Sequence, residues 1–406
     1  MASDRGVQFL LSPGPTPIPD RILRAMHRQS VDFSGPDFIA LCDEVFRDVK
    51  EIFRTKGIVH LYTANGHGAW EAALTNVLSP GDTVLIPEVG VFSEAWRSMA
   101  EALGLKCETV PNDWRHAIDP NQLEEKLRAD TERKIKAVLF VHVDTATSLK
   151  SDVPAARAAI DAARHPALFC VDTIASLGTT HFPMDDWGVD ITVAASQKGL
   201  MMPPGLAMVA ANDKAMRIGK ETTMPRRYWD WQERTAGEHY QRFCGTAPEH
   251  HIFGLREALN MIAEETLDGV VARHARLART VRAAVGRWCE GGALQFNAVD
   301  PDQRADSVTS ILMPEGMDAE AVRATGREMN LHIGSGIGPF RGRAFRIGHM
   351  GDINEPMILG SLAAIETVLR RHGIPLGNGA MDAAIAELSA ANNDATLADR
   401  SIKAAE

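Results

Sequence analysis

The sequence predicts an α/β fold: a mainly parallel sheet with helices on both faces, followed by a smaller C-terminal α/β domain. Three observations carry that expectation. Between Val59 and about Asp213, short apolar runs alternate with amphipathic stretches, the rhythm of βα units. Runs such as 137–142 and 167–171 are apolar at nearly every position, as strands covered on both faces require. After a polar, aromatic interruption at 226–243, a second and shorter set of strand and helix patterns begins.

In chain order, a proline- and glycine-rich arm (1–19) precedes a short helix expected over 20–27. The 37–53 stretch has amphipathic helical spacing. Strands are expected at 59–62, 83–86 and 137–142, with helices at 69–78 and 94–103. The segment from Arg226 to Phe243, with Tyr228, Trp229 and Trp231, reads as a long loop or short helices near a subunit contact, being too apolar for an isolated loop. Thr246 and Glu249 fit a capping box opening a helix over 250–264. The helical region 252–288, broken near Leu267-Asp-Gly269, bridges into the second domain. That domain has strands expected at 307–312 and 344–347 and helices at 319–329 and 356–371. The run Gly334-Ser-Gly-Ile-Gly338 reads as a flexible turn with no helix after it, which excludes a dinucleotide loop. A short alanine-rich helix after Gly379 leads into a frayed tail. The expected organisation is an arm (1–19), a large domain (20–275), a small domain (276–385) and a tail (386–406).

At 406 residues and 45% hydrophobic, the chain can bury one large core and a smaller one. A net charge of −10 with no basic cluster argues against nucleic acid or an anionic membrane as partner. No signal peptide is visible, and no apolar stretch nears the roughly 20 residues that span a bilayer. Five scattered cysteines (Cys42, Cys107, Cys170, Cys244 and Cys289) suit a reduced, cytoplasmic compartment. Adjacent His250 and His251 lack the supporting spacing of a metal site, and none is expected.

Chemistry concentrates at three places. Lys198 follows the apolar run Val189-Asp-Ile-Thr-Val-Ala-Ala195 and stands just ahead of Pro203-Pro-Gly205. A lysine in such a tight, poorly solvated turn can be depressed in pKa and attack a carbonyl. Asp172 closes the strand-like run Ala167-Leu-Phe-Cys-Val-Asp172. Open α/β sheets gather functional groups at the carboxyl ends of their strands, so the two can meet in one crevice. A lysine for the aldehyde and a carboxylate for the pyridine nitrogen is the pair that pyridoxal phosphate needs. The run Ala64-Asn65-Gly66-His67-Gly68 opens a helix whose free N–H groups suit a monophosphate. Each feature alone has a plainer reading: an exposed loop lysine, a turn aspartate, a glycine-rich cap.

Taken with Ser12-Pro-Gly-Pro-Thr16, Ser196-Gln197, Gly254-Leu-Arg-Glu257 and Phe345-Arg346-Ile-Gly348, these segments resemble class V, fold-type I pyridoxal-phosphate aminotransferases over nearly the whole chain. The likeness is to the alanine/serine–glyoxylate group. The resemblance implies a seven-stranded-type sheet, pyridoxal 5'-phosphate as cofactor and a homodimer with shared active sites. It makes Lys198 the Schiff-base lysine and Asp172 the partner of the pyridine nitrogen. Asn65, Gly66, His67 and Gln197 fall where the family holds the phosphate, and Thr246 where it reaches the other subunit's phosphate. Phe92 matches the aromatic residue on the cofactor ring, and otherwise reads as core. Arg346 matches the arginine that receives the substrate α-carboxylate, where a planar fork suits a bidentate pair.

The run His142-Val-Asp-Thr-Ala-Thr-Ser148 departs from the pattern. Ala146 lacks the hydroxyl that relatives place near the cofactor's 3-oxygen, a contact that falls to Thr145. Ser148 replaces a usual glycine, and Phe243 a tyrosine found in some relatives. Cysteine desulfurases share the lysine and aspartate but need a reactive cysteine in the small domain, and none follows Cys289. The expected activity is transamination of serine or alanine with glyoxylate or a similar small 2-oxo acid. The alternative is the same chemistry on ureidoglycine, aspartate or an aminophosphonate.

Overall fold

The structure is a computed structural model that describes residues 6–390. Its strands are β1 (Phe9–Leu11), β2 (Ile58–Ala64), β3 (Thr83–Pro87), β4 (Lys106–Val110), β5 (Ile135–Val141), β6 (Val143–Asp144), β7 (Leu149–Lys150), β8 (Leu168–Asp172), β9 (Ile191–Ala195), β10 (Gly205–Ala211), β11 (Gln295–Phe296), β12 (Val308–Leu312), β13 (Leu331–Ser335) and β14 (Ala344–Gly348). Seven of them form one sheet in the order β2-β10-β9-β8-β5-β3-β4. Its neighbours from β9 to β4 run parallel, while β10 lies antiparallel to both β9 and β2. The expected mainly parallel, seven-stranded sheet is therefore what the chain builds.

β3, β8 and β9 are buried at every position. Their sequences carry no polar alternation because neither face meets water. The Gly66–Val77 helix packs Ala69, Ala72, Ala73 and Val77 against this sheet, small residues that let the helix come close. It begins at Gly66, three residues ahead of the expected start, because Asn65 caps it by accepting from His67 N (3.1 Å) and Gly68 N (3.4 Å). The Val91–Ala102 helix likewise starts early, since Ser93 Oγ accepts from Val89 N and Gly90 N and organises the turn.

A second sheet, in the order β1-β13-β14-β12-β11, carries its own hydrophobic cluster around Trp288, Phe345, Ile347 and Leu362. β1 joins it by pairing parallel with β13. The N-terminal arm thereby adds a strand to a sheet built from the other end of the chain.

Three readings of the sequence need correction. The helix Glu249–Glu265 has Pro248 at its cap position and no side-chain cap. The chain turns through Ala247-Pro248 first, so Glu249 is the first helical residue, not the third, and the Thr246–Glu249 capping box does not form. Gly334 and Ser335 belong to β13, and Gly338 opens a short 3-10 turn through Phe340, so 334–338 is a strand end rather than a free loop. Residues 386–390 extend the Ala380–Ala390 helix, where Ala384 is buried; the rest of the expected tail lies outside the described residues. The aromatic segment folds into short helices, Trp231–Thr235 and His239–Phe243, and Trp231 is fully buried against His60 with rings 5.3 Å apart. Its apolar character is largely spent within the protomer, leaving Tyr228 and Tyr240 exposed.

Candidate active site

The carboxyl ends of β2, β5, β8 and β9 converge on a cavity of about 300 Å³. It is lined by Asp172 and Lys198, by Asn65, Gly66 and His67, and by Phe92, Thr145 and Gln197. Eight of the ten residues singled out from the sequence thus line one space. Trp70, Ile174 and the arm residues Gly14 and Pro15 complete its walls.

Asp172 ends β8 and is buried. One carboxylate oxygen accepts from Ile174 N (2.7 Å) and the other from Trp70 Nε1 (3.0 Å). Burial pushes its pKa up to about 7, against the pull of those two donors and of Lys198. The group is therefore poised to ionise near neutrality rather than held far into the anionic range. Lys198 stands in the turn after β9, its ammonium donating to Pro13 O. Burial, then the Arg346 charge, lowers it to about 8, while Asp172 and Asp144 resist. A lysine with that pKa is partly neutral at pH 7–8, as a nucleophile for a carbonyl must be. The arm packs against it closely: Gly14 has φ +94°, and a Cβ there would lie 2.5 Å from Lys198 Nζ. Thr16 N and Thr16 Oγ1 donate to Gln197 O (3.2 Å) and Lys198 O (3.3 Å), stitching arm to turn.

Around them, Gly66 leaves no room for a side chain because Ile174 Cδ1 occupies that space. The Asn65 cap spends two N–H groups of the helix start on its own side chain. Gln197 carries a buried amide oxygen with no protein partner. The Trp70 ring lies 4.5 Å from His67, stacks on Trp96 at 5.7 Å and meets Phe92 edge-on at 6.3 Å. Phe92 is half-buried at the cavity wall, so it is not simply core.

Arg346, buried in β14, donates from Nε to Ser335 O (2.6 Å) and from Nη1 to Thr145 O (2.9 Å). Two carbonyls thus hold its guanidinium against the cavity-lining Thr145, and Arg346 itself is not among the residues that line the cavity; burial lowers its pKa to about 10. Thr246 is exposed and does not line its own protomer's cavity. Among the departures, Ser148 adopts φ +59°, the left-handed region that favours glycine, and is held there by bonds from Ser148 N to Asp144 O and from Ser310 N to its Oγ. Ala146 is buried behind the wall, and Phe243 packs on Phe46, away from the cavity. His250 and His251 bond to the carbonyls of Arg28 and Pro204. No group of three or more His, Cys, Asp or Glu residues fit to hold a metal exists among the described residues.

Two contributors escaped sequence reasoning. Trp70 reads as an ordinary core aromatic of a helix, and only the fold shows its N–H on Asp172. Asp144 lies in a run noted for its departures, where the neighbouring hydroxyls drew attention instead of the carboxylate. A second cavity, of about 340 Å³, lies over Glu88 and the 110–122 loop; it gathers Asp113, His116 and Asp119 and contains no lysine or arginine.

Comparison with known proteins agrees with this geometry. The family model for aminotransferase class-V matches residues 8–338. The serine–glyoxylate aminotransferase of Methylorubrum extorquens is 42% identical over 93% of this chain and 96% of its own. The L-aspartate–glyoxylate aminotransferase of Paracoccus denitrificans is 40% identical over 92% and 94%. The crystal structure of ureidoglycine–glyoxylate aminotransferase from Bacillus subtilis superposes with a TM-score of 0.86 at 27% identity, covering 95% of this chain and 99% of that one. The chain belongs to the class V aminotransferases. It is a pyridoxal-phosphate-dependent transaminase. The cavity fits that cofactor: it offers a depressed lysine, a buried carboxylate at a strand end and the start of the Gly66–Val77 helix on its wall.

Proposed function

We propose that the protein transfers the amino group of serine or alanine to glyoxylate or a similar small 2-oxo acid. The observation that carries the choice of small substrates is the scarcity of positive charge at the site. Among the described residues lining the cavity, Lys198 is the only cation, and Arg346 stands behind Thr145 as a single carboxylate receiver. A donor with a second carboxylate would need a second fixed cation to repay its desolvation. Serine–glyoxylate relatives at about 40% identity support the same choice over the aspartate and ureidoglycine alternatives.

In this reading Lys198 would hold the cofactor's aldehyde and would move the proton at the substrate Cα. Asp172 holds a proton on the cofactor's ring nitrogen, and Trp70 holds Asp172. Pyridoxal phosphate, when bound, supplies the electron sink for the pair left by the broken Cα–H bond. Asn65, Gly66, His67 and Gln197 hold the phosphate at the start of the Gly66–Val77 helix, where the helix dipole favours an anion. Phe92 and Thr145, both on the cavity wall, would hold the cofactor's ring. Arg346 takes the α-carboxylate and so fixes which substrate bond stands toward Lys198.

We further propose a homodimer in which Thr246 reaches the partner's phosphate site. Its exposure and its position outside its own cavity support this, as do exposed Tyr228 and Tyr240. The division into arm, large domain to 275 and small domain to 385 is likewise our reading, supported by the two separate hydrophobic clusters. A cytoplasmic location is supported by five free cysteines; no helix among the described residues is long and apolar enough to cross a membrane.

The test is a donor and acceptor panel on the loaded enzyme, following absorbance of the bound cofactor. Fast amino transfer from serine or alanine, and return by glyoxylate, is the expected result. Inertness toward both donors beside rapid turnover of a ureido or phosphonate amine would overturn the donor assignment. Lys198→Ala is expected to abolish multiple turnover, and retained turnover would overturn its role.

A further inference from the structure

We infer that Asp144 is the positioning residue for substrate-carboxylate recognition, because its buried carboxylate shapes the turn whose Thr145 carbonyl receives Arg346. The inference rests on the reading of Arg346 as the carboxylate receiver and deepens it. Asp144 is fully buried at the end of β6. Its Oδ1 accepts from Ala146 N (2.8 Å) and Thr147 N (3.2 Å), closing the turn over Thr145. Its Oδ2 accepts from Phe92 N (2.7 Å) at the start of the Val91–Ala102 helix. One side chain therefore ties together the strand exit, the helix bearing Phe92 and the turn holding Arg346.

Three features make this more than a structural filler. A carboxylate with no access to water is costly to bury, and here backbone N–H groups on two elements meet it. Thr145 O then points at Arg346 Nη1 only while the turn stays closed, since Ala146 N and Thr147 N flank that carbonyl. Gly90 is shaped around the group: a Cβ there would fall on the Asp144 carboxylate, and its extended backbone otherwise suits any residue. Asparagine in place of Asp144 keeps the size but turns one acceptor into a donor. That donor must face Phe92 N–H or the Ala146 and Thr147 N–H groups, so one end of the tie opens.

The experiment compares serine with ethanolamine, the same amine without its carboxylate, in the amino-transfer half-reaction of the loaded enzyme. Their preference ratio isolates carboxylate recognition, because cofactor loading and proton transfer enter both numbers. Glycolate binding to the ligand-free protein, by calorimetry, gives a second readout without turnover, and the Kd for pyridoxal phosphate a third. Asp144→Asn is expected to narrow the serine preference and weaken glycolate by about tenfold or more, the size of one charge-assisted hydrogen bond. Pyridoxal phosphate affinity should fall less than glycolate affinity. Gly90→Ala, which crowds the carboxylate from the other side, should move both readouts the same way and decides the matter if Asp144→Asn fails to fold. Arg346→Ala is the control. If it leaves the ratio at the wild-type value, the carboxylate reading of Arg346 fails and the inference falls with it. If Arg346→Ala narrows the ratio while Asp144→Asn and Gly90→Ala keep wild-type preference and glycolate affinity, the inference alone is overturned.

Discussion

Replacing Trp70 by phenylalanine removes one N–H from a buried carboxylate while leaving an aromatic ring to stack on Trp96. Two losses follow, and pH separates them. The smaller ring gives up buried surface worth on the order of 1–2 kcal/mol, the same at any pH. The lost bond from Trp70 Nε1 to Asp172 (3.0 Å) costs about 1.5–3 kcal/mol when the carboxylate is ionised and about 1 kcal/mol when it is protonated. Asp172 titrates near pH 7 in the ligand-free protein, its value raised from 3.8 by burial. A raised folded-state pKa means stability present at low pH and lost as pH rises through about 7. Removing a donor raises that pKa further and extends the loss to higher pH. Urea unfolding of the ligand-free wild type and Trp70→Phe at pH 5.5 and 8.5 should therefore show a larger destabilisation at the higher pH, by about 0.5–2 kcal/mol. Other titrating groups are common to both chains and cancel in the difference. A destabilisation equal at both pH values would refute the claim that the indole N–H serves the anionic carboxylate.

Acid should unfold the protein through its histidines. His60, His142, His274 and His349 are buried and depressed to about 3, so folding stability falls as pH drops from 6.5 toward 3, on the order of 2 kcal/mol for each at pH 5. Asp172 and Asp144, raised to about 7 and about 6, push the other way, so circular dichroism against pH should show net loss below pH 6; a rise in stability on acidification would contradict the burial of the four rings. Gly14→Ala should weaken pyridoxal phosphate binding at least tenfold, read by fluorescence titration of the ligand-free protein, because the new methyl meets Lys198 at a φ of +94°. Arg234→Met should cost about 3–5 kcal/mol in denaturant unfolding, since the carbonyls of Tyr228, Leu61 and Arg242 lose their shared buried donor.

Much of this site was legible in the sequence, for a definite physical reason. Asp172 and Lys198 lie at the ends of apolar runs, and in a parallel sheet such ends share one edge, so linear position translated directly into proximity. Asn65-Gly66-His67 announced a helix start by residue type alone. Trp70 and Asp144 were illegible because their roles depend on direction: a tryptophan in a helix and an aspartate after a strand look the same whether or not they meet across the fold. The capping box failed for a different reason. Pro248, not Thr246, takes the cap position, a backbone decision that side-chain spacing does not encode. Ser148 shows the converse, a position that glycine would suit best, kept in its left-handed conformation by a turn bond to Asp144 and a tertiary bond from Ser310.

The pairing of β1 with β13 also sets a timetable for synthesis. Pro13, which meets the Lys198 ammonium, hangs from a strand whose partner, Leu331–Ser335, leaves the ribosome more than 300 residues after Phe9. At about 5–20 residues per second, the arm waits on the order of a minute or less with its edge unpaired. During that interval the large sheet can assemble through β10, yet the lysine lacks the carbonyl that later meets it. Completion of the catalytic pocket is thus tied to the emergence of Leu331–Ser335. A chain truncated before β13 would carry both Asp172 and Lys198 on an otherwise complete sheet and still leave the arm without its mooring.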